Sequence, residues 1–439
     1  MRGGKGIAPI LLLVMLAGEA ACAPAVATGG VPGATAREVS SLAAAGSACP
    51  PAPERGTDPT PGPGGYPGQS NAVPSGFPTP TTWAERLRPG GPARDPGPLD
   101  WAQPGPYIAP DWQDFTLQSY GPDQRVVTTY YFYWHDLTDP ARRARYDSGE
   151  FKRPPDLDRY SFAFSDTHLR EFGDMVDAGV DFVLPVYWGE PGHPGRTNAE
   201  TCPRYWSTDG LAPMVEALDA LAAQGSPLRI GMFFDTTILA NADLTTAAGR
   251  EYFYVNIRDF FSRIPPRHWA AIGGRPIVWL YDGWWAAGLD QSTFDHLAER
   301  FAHDFGGLRP FVVLEQQWAT SRSDGPPQPI RADGMYAWGA AAFGFNPDPR
   351  FTVAEVGPGF SNLAICRSGA GCIHTDRDTG RFFEASLQAA LASDRQILAL
   401  ETWNEFSEGT QIAETVQDGR LYLELARRYA DRFKGAGNR

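Results

Sequence analysis

The chain reads DTHLREFGDMVDAGVDFVLPVY from residue 166 to residue 187. In residues 166–180 the apolar side chains recur at intervals of three and four, which is typical of an amphipathic helix. The run 182–187 that follows is almost continuously apolar and has the length of a strand, as expected when both faces of the strand are buried. A helix that leads directly into a buried strand predicts a parallel sheet covered by helices.

The same alternation of strand and helix patterns continues on both sides of this stretch. Further helical patterns cover 209–224, 246–264, 291–305 and 418–434. The predicted strands are Val126–Tyr133, Phe182–Tyr187, Arg229–Phe234, Pro276–Tyr281, Pro310–Glu315, Gly334–Trp338, Phe351–Val356 and Ile397–Thr402. Eight such units in about 310 residues predict an α/β protein with the (β/α)8 TIM-barrel fold. The alternative is an open doubly wound sheet, but the sequence lacks the glycine-rich phosphate loop that usually follows its first strand.

The composition excludes one class of function. Of the 439 residues, 42% are hydrophobic and 20% are charged, which is close to ordinary globular usage and allows a sizeable core. The formal net charge is −13. Because binding to nucleic acid needs a basic surface that neutralises phosphates, the charge argues against a nucleic-acid partner.

The N-terminus predicts export. Residues 1–23 contain the basic residues Arg2 and Lys5, a short apolar run at 10–16 and then small residues, as in a secretory signal. The apolar run is far shorter than the roughly 20 residues that a membrane span needs. Either the small residues around Cys22 form a cleavage site, or Cys22 itself carries the lipid of a bacterial lipoprotein, although Glu19 stands where that motif usually has Leu. Both alternatives predict a secreted or cell-surface protein, and only the lipoprotein alternative attaches it to a membrane, through a lipid anchor at Cys22.

The segment that follows is poor in aliphatic residues and rich in Pro and Gly, which predicts a disordered linker. The predicted organisation is therefore a signal at 1–23, a linker at 24–104 and a catalytic barrel at 105–436, acting as a monomer. Cys366 and Cys372 enclose a short loop and predict a disulfide, which would leave Cys49 and Cys202 as a second pair. The lack of a Cys-x-x-Cys pair and the scattered His residues predict no metal site. No cofactor is predicted either, because a cofactor pocket would more often show phosphate-binding glycines or basic residues.

The ends of the predicted strands carry an unusual number of aromatic and polar side chains. In a (β/α)8 barrel, the carboxyl ends of the strands form the active-site face. Flat aromatic faces beside carboxylates suit a sugar ring, which has apolar C–H faces and polar edges, and so predict a carbohydrate substrate. Asp235 and Asp282 have an alternative role as caps of the helices that follow them. The predicted substrate-binding residues are Tyr133, Trp134, Tyr187, Trp188, Glu190, Asp235, Tyr281, Asp282, Trp284, Glu315, Gln317, Trp338, Trp403 and Asn404.

The sequence LALETWNEFSEGTQIAE, residues 398–414, holds the predicted catalytic pair, Glu405 and Glu408. If the segment forms a helical turn, two carboxylates three residues apart lie roughly 5–6 Å apart on one face. Glycoside cleavage needs two carboxyl groups that flank the bond, and a separation of about 5 Å favours retention of configuration. Their proximity would also separate their pKa values into those of an acid and a base. The alternative is a solvated first helical turn, where Glu is favoured by the helix dipole.

The run Trp403–Ile412 resembles the Asn-Glu-x-x-Glu-Gly-Thr signature of glycoside hydrolase family 99, the endo-α-mannosidases. The aromatic segment 130–134 resembles the first strand of that family, and 356–360 resembles its seventh-strand turn. The resemblance implies a (β/α)8 glycosidase over about 125–434. The chain departs from the family pattern at Phe406 and Ser407, between the two carboxylates, and in the loops at 189–209 and 236–246. These differences argue against assuming specificity for α-mannan.

The resemblance implies a role for each glutamate. Glu405 would assist the substrate's own 2-hydroxyl to form a 1,2-anhydro sugar with overall retention, and Glu408 would act as general acid and then as base. A direct nucleophilic role for Glu405 remains the alternative. The predicted function is an exported retaining glycoside hydrolase. The competing functions are a non-catalytic carbohydrate-binding surface protein of the same fold and a polysaccharide-biosynthesis enzyme.

Overall fold

The computed structural model of the protein describes residues 120–189, 206–225, 228–239, 241–323, 325–365 and 372–437. The predicted signal, the predicted linker and the residues Glu190, Cys202 and Cys366 lie outside these ranges, so what the sequence predicts for them stays a prediction. Cys372 is disulfide-bonded. Among the described helices, none is both long enough and apolar enough to cross a membrane.

Eight parallel strands form the centre of the molecule, and each lies within or beside a run that the sequence predicts. They are β1 (Val126–Tyr131), β2 (Phe182–Tyr187), β3 (Arg229–Ile230 and Met232–Phe234), β4 (Arg275–Leu280), β5 (Phe311–Glu315), β6 (Gly334–Tyr336), β7 (Val353–Val356) and β8 (Ile397–Leu400).

The strands pair in the order β6-β5-β4-β3-β2-β1-β8-β7. The two end strands then meet, because Thr352 N donates to Met335 O over 3.0 Å and Met335 N donates to Thr352 Oγ1 over 2.9 Å. The ring of parallel strands confirms the predicted TIM barrel.

Helices surround the barrel, and the five predicted from hydrophobic periodicity are all present. The described helices are α1 (Pro140–Asp147), α2 (Ser165–Asp177), α3 (Trp206–Asp209), α4 (Leu211–Ala223), α5 (Ala247–Arg263), α6 (Gln291–Asp304), α7 (Ala340–Phe343), α8 (Arg381–Leu391) and α9 (Leu421–Gly437). Side chains cap the first turns of two of these helices. Before α5 the Thr246 side chain accepts a hydrogen bond from Gly249 N, and before α6 the Asp290 side chain accepts one from Ser292 N.

The core has two layers because successive side chains of a strand point to opposite faces. One layer fills the inside of the barrel with residues such as Tyr130, Leu184, Phe233 and Trp279. The other lies between the strands and the helices. The carboxyl ends of all eight strands open at one end of the barrel, where the loops 132–139, 281–290 and 401–420 meet them.

We expect Gly357→Ala, just after β7, to lower the free energy of unfolding by about 2–3 kcal/mol. A Cβ at Gly357 would lie 2.4 Å from Glu401 O and 2.5 Å from Ala341 Cα, so backbone would have to move. The matched control is Gly173→Ala inside α2, where a Cβ meets no atom within 4 Å. This control should be neutral or stabilising by about 0.5–1 kcal/mol, because Gly weakens a helix interior. Urea unfolding of both variants measures the difference, and equal losses would contradict the close approach.

Candidate functional site

Four aromatic rings form a floor at the carboxyl end of the barrel interior. The Trp338 ring lies 4.9 Å from Tyr130 and 5.2 Å from Tyr281 between centroids, and it stacks on Phe233 at 5.8 Å. Tyr130, Phe233 and Tyr281 are buried, whereas Trp338 keeps partial exposure. The floor therefore contains one partly exposed indole ring, that of Trp338, packed against three buried rings.

Glu405 and Glu408 follow β8 in hydrogen-bonded turns, so the helical turn expected from their spacing is wrong. Thr410 N donates to Glu405 O over 3.3 Å, and Ser361 N donates to Glu408 O over 2.7 Å. Both glutamates are buried, and Ser407 Oγ donates to Glu405 Oε1. The separation of the two carboxyl groups is consequently set by this turn and not by helix geometry.

Asn404 joins the first and last strands immediately beside Glu405. Its Oδ1 accepts from Phe132 N over 2.7 Å, and its Nδ2 donates to Phe132 O over 2.8 Å and to Tyr160 Oη over 3.0 Å. The side chain is fully buried. Asn404 therefore holds the Phe132 backbone and the Tyr160 hydroxyl, and its predicted contact with substrate stays a prediction.

His135 supports the same junction from the loop after β1. Burial lowers the pKa of His135 to about 3, so the ring is neutral near pH 7. Its Nε2 lies 3.1 Å from Asn404 O, and its Nδ1 lies 3.2 Å from Tyr146 Oη. Because a carbonyl can only accept, the proton belongs on Nε2, and Nδ1 accepts from the tyrosine hydroxyl. His135 thus stabilises the loop.

Five predicted substrate contacts pack against the layer between the strands and the helices, and one of them also contacts the inner layer. Trp134 is half-buried and packs on Phe132 at 4.7 Å, in contact with both layers of the core. Four others are buried among residues that the helices and their flanking loops contribute, and their role in substrate binding stays a prediction. The hydrogen-bonded pairs are Tyr133 with Ser207 O, Tyr187 with Asp259, Trp188 with Thr237 Oγ1 and Trp403 with Glu171.

The carboxylates at the ends of β3, β4 and β5 cap the turns that follow them. Asp235 Oδ1 accepts from Thr237 N over 3.1 Å. The same arrangement brings Asp282 Oδ1 to Trp284 N at 2.9 Å and Glu315 Oε2 to Gln317 N at 2.8 Å. Capping was the alternative for Asp235 and Asp282, and the contacts confirm it. The turns also set the positions of Trp284 and Gln317, which both remain half-buried.

Two carboxyl groups inside the barrel were not among the predicted site residues. Glu355 on β7 and Glu401 after β8 are each about 3% exposed. Burial raises the pKa of Glu401 to about 8, and burial together with the charge of Glu401 raises the pKa of Glu355 well above its usual range. The sequence held a signal for both residues. Each is a carboxylate at an inward-facing position in an otherwise apolar segment, Glu355 in Val353–Val356 and Glu401 in 397–401. Among the described residues, no cluster of three His, Cys, Asp or Glu side chains could hold a metal ion.

We expect the melting temperature to fall as the pH rises from 6.5 to 8.5. Burial raises the pKa of Asp282 and Glu171 to about 7 and the pKa of Glu315 and Glu401 to about 8. In this window the unfolded chain has released protons that the folded chain keeps, so stability is lost as the pH passes through the folded-state pKa values. The buried His135 and His168 oppose this trend only below their ordinary pKa of 6.5, because burial lowers the pKa of both.

Thermal unfolding at several pH values, for the wild type and Glu315→Gln, tests this. The amide keeps an acceptor for Gln317 N but cannot ionise, so the variant should show a shallower decline. A melting temperature that rises through the window, or an equal slope in the variant, would contradict the assignment.

Comparisons with known proteins agree with the barrel fold. A family model described as "Domain of unknown function (DUF5010)" matches residues 156–436. A mouse protein, "Glycoprotein endo-alpha-1,2-mannosidase-like protein", is 26% identical over 395 residues, which cover 78% of this chain and 80% of the mouse protein. The human protein of the same name is 33% identical over 95 residues, covering 18% of this chain and 21% of that protein.

A solved structure of a "Glycoside hydrolase-like protein" has the same fold. It superposes with a TM-score of 0.50 at 13% identity and covers 72% of this chain and 95% of its own. The family match spans more than half of the chain, and the mouse relative extends over most of the barrel. The chain therefore belongs to the DUF5010 family and is similar to endo-α-mannosidase-like proteins, the kind of relative that the motif after its eighth strand predicts.

Proposed function

We propose that the protein is a retaining glycoside hydrolase that cleaves a glycan with Glu405 and Glu408. The observation that carries the proposal is the position of this pair, buried in the turns that follow β8 at the carboxyl end of the barrel. That end is where (β/α)8 enzymes place their catalytic groups. The aromatic floor, with its partly exposed Trp338 ring, supports a carbohydrate substrate, because sugar rings pack their C–H faces on indole rings.

The proposed reaction uses one carboxylate and one carboxylic acid. Glu405, ionised, takes the proton of the substrate's 2-hydroxyl, and that oxygen attacks the anomeric carbon. Glu408 gives its proton to the departing glycosidic oxygen as the bond breaks. Water then attacks the anomeric carbon of the 1,2-anhydro sugar and loses its proton to Glu408, while the 2-oxygen recovers the proton from Glu405. Two inversions give net retention.

The local hydrogen bonds suit this division of roles. Ser407 Oγ donates to Glu405 Oε1, and a donor to a carboxylate favours its ionised form. Glu405 N also donates to Thr402 Oγ1 over 3.2 Å, and Thr402 Oγ1 lies 2.8 Å from Thr410 Oγ1. The base is thereby held against β8. Direct attack by Glu405 on the anomeric carbon is the alternative, and a 2-O-methyl substrate separates the two because it has no hydroxyl proton to give.

The relatives suggest which glycans to test first. Because the mouse and human relatives carry the name endo-α-1,2-mannosidase-like, we propose glycans with internal α-1,2-mannose linkages as the first candidates. The differences at Phe406 and Ser407 and in the loops at 189–209 and 236–246 extend the panel to α-glucans and other wall polysaccharides.

The decisive experiment is reducing-end release on this panel, with NMR assignment of the first-formed anomer. We expect cleavage of at least one glycan with retention. Binding without cleavage or transfer would instead identify a non-catalytic carbohydrate-binding protein, and inversion would contradict the mechanism. Transfer from an activated sugar donor without hydrolysis would indicate a biosynthetic enzyme.

We also propose that the enzyme acts outside the cytoplasm, as a secreted or lipid-anchored protein. The support is the basic and apolar pattern of residues 1–23 with Cys22 among small residues. Mass spectrometry of the mature N-terminus distinguishes cleavage from lipidation at Cys22, and an intact Met1 in exported material would contradict both.

A further inference from the structure

Glu401 ties the end of β8 to the turn that follows β6. Its Oε2 accepts hydrogen bonds from Gly339 N over 3.1 Å and from Ala340 N over 2.7 Å. These two residues come directly after Trp338. One buried carboxyl group therefore contacts the backbone directly after Trp338, the partly exposed ring of the aromatic floor.

The turn after Trp338 needs this acceptor. Gly339 has φ of +112°, in the left-handed region that favours glycine. Gly339 and Ala340 are buried, and buried backbone N–H groups without a partner are costly. Gly357 lets the end of β7 pack against Glu401 O and Ala341, so β6, β7 and β8 meet at this point.

We propose that Glu401 is a positioning residue that fixes the Trp338 ring as the platform for the apolar face of a sugar. The proposal rests on the proposed function, because it assigns the ring a role in binding the glycan. It adds a residue directly after β8, four residues before Glu405, that acts through the turn after β6.

The surroundings of Glu401 predict which replacement should preserve the platform. The titratable groups that interact with Glu401 are Tyr130 on β1 and Glu355 on β7. Since burial raises the pKa of Glu401 to about 8, the group is largely neutral at pH 7 and accepts both N–H groups through a carbonyl-like oxygen. A glutamine offers the same oxygen, whereas leucine offers none and aspartate is one methylene too short.

Fluorine NMR of the full chain labelled with 5-fluorotryptophan tests the positioning role without any substrate. Trp338→Phe assigns the resonance of Trp338. We expect Glu401→Leu and Glu401→Asp to shift or broaden that resonance, and Glu401→Gln to leave it near its wild-type position. Should Glu401→Leu fail to fold, Glu401→Asp provides the comparison. An unchanged Trp338 resonance in the folded variants would overturn the proposal.

Kinetics on the glycan found for the wild type test the platform. Glu401→Leu should raise KM about tenfold, as expected for loss of one stacking contact, with a smaller change in kcat, and Glu401→Gln should restore KM. In a Trp338→Ala background, Glu401→Leu should add nothing further to KM, because its effect passes through the ring. Additive effects on KM would overturn the platform role.

Asp333→Leu is the matched control at the opposite end of the barrel. Asp333 lies just before β6, and its Oδ2 accepts a hydrogen bond from Val312 N over 2.9 Å. Glu401 likewise accepts hydrogen bonds from backbone N–H groups, which lie just after β6. This variant should lose stability but keep the wild-type KM and the wild-type Trp338 resonance. If the wild type cleaves no glycan, the proposed function and the platform fail together, while the fluorine spectra still decide whether Glu401 positions the ring.

Discussion

Glu408→Gln is expected to lower kcat on a natural glycan by about 10³-fold while leaving glycan binding nearly intact. General acid catalysis typically contributes 10²–10⁴-fold, and an amide cannot protonate the departing oxygen. With an aryl glycoside whose leaving group needs no proton, the bond-breaking step should recover and release a burst of the aryl alcohol, while the following hydrolysis, in which Glu408 acts as base, should stay slow. Glu405→Gln should lose a similar factor but should not be rescued by that substrate, because its role precedes departure.

The control for both variants is Glu414→Gln. Glu414 lies six residues after Glu408 in the same loop, is half-buried and pairs with Arg420 at 3.2 Å. The same chemical change there should leave kcat within about twofold, because such partly exposed ion pairs contribute little. If Glu405→Gln or Glu408→Gln kept full turnover, the assignment of the catalytic pair would be wrong.

Asn404→Ala is expected to lower the free energy of unfolding by about 3–5 kcal/mol and the melting temperature by about 5–10 °C. The truncation removes three buried hydrogen bonds and leaves both polar groups of the Phe132 backbone without that partner. Because Phe132 lies just past β1, the closure between β1 and β8 would loosen beside Glu405. Activity should therefore fall as well, even below the melting temperature.

Asn346→Ala provides the comparison. Asn346 is exposed, and its Oδ1 accepts from Asp348 N within one surface turn. Asn346→Ala should lower the free energy of unfolding by no more than about 1 kcal/mol. Chemical unfolding monitored by circular dichroism gives both values, and a similar small loss in Asn404→Ala would show that Asn404 does not join the two strands.

Local pattern was sufficient to predict the fold. The continuous apolar runs and the amphipathic helices mark all eight strands, since a strand buried on both faces must be apolar throughout. The motif after β8 was equally readable, because Asn404, Glu405 and Glu408 stand at fixed spacing in one short segment. By contrast, aromatic residues at strand ends look alike in sequence. Neighbouring residues of one strand face opposite layers, so Tyr187 and Trp403 pack outward, whereas Tyr281 and Trp338 belong to the floor.

The sequence by itself determined the barrel and predicted a candidate catalytic pair after its eighth strand, because both depend on residues close together in the chain. Only the tertiary structure decided which side chains share a surface. The aromatic floor joins β1, β3, β4 and β6, and Glu401 reaches a turn 61 residues away. Such contacts depend on the closure of the sheet and on close approaches such as that at Gly357, which no local pattern contains. That closure turns Glu355 and Glu401 from isolated charges in apolar strands into buried acids with raised pKa values.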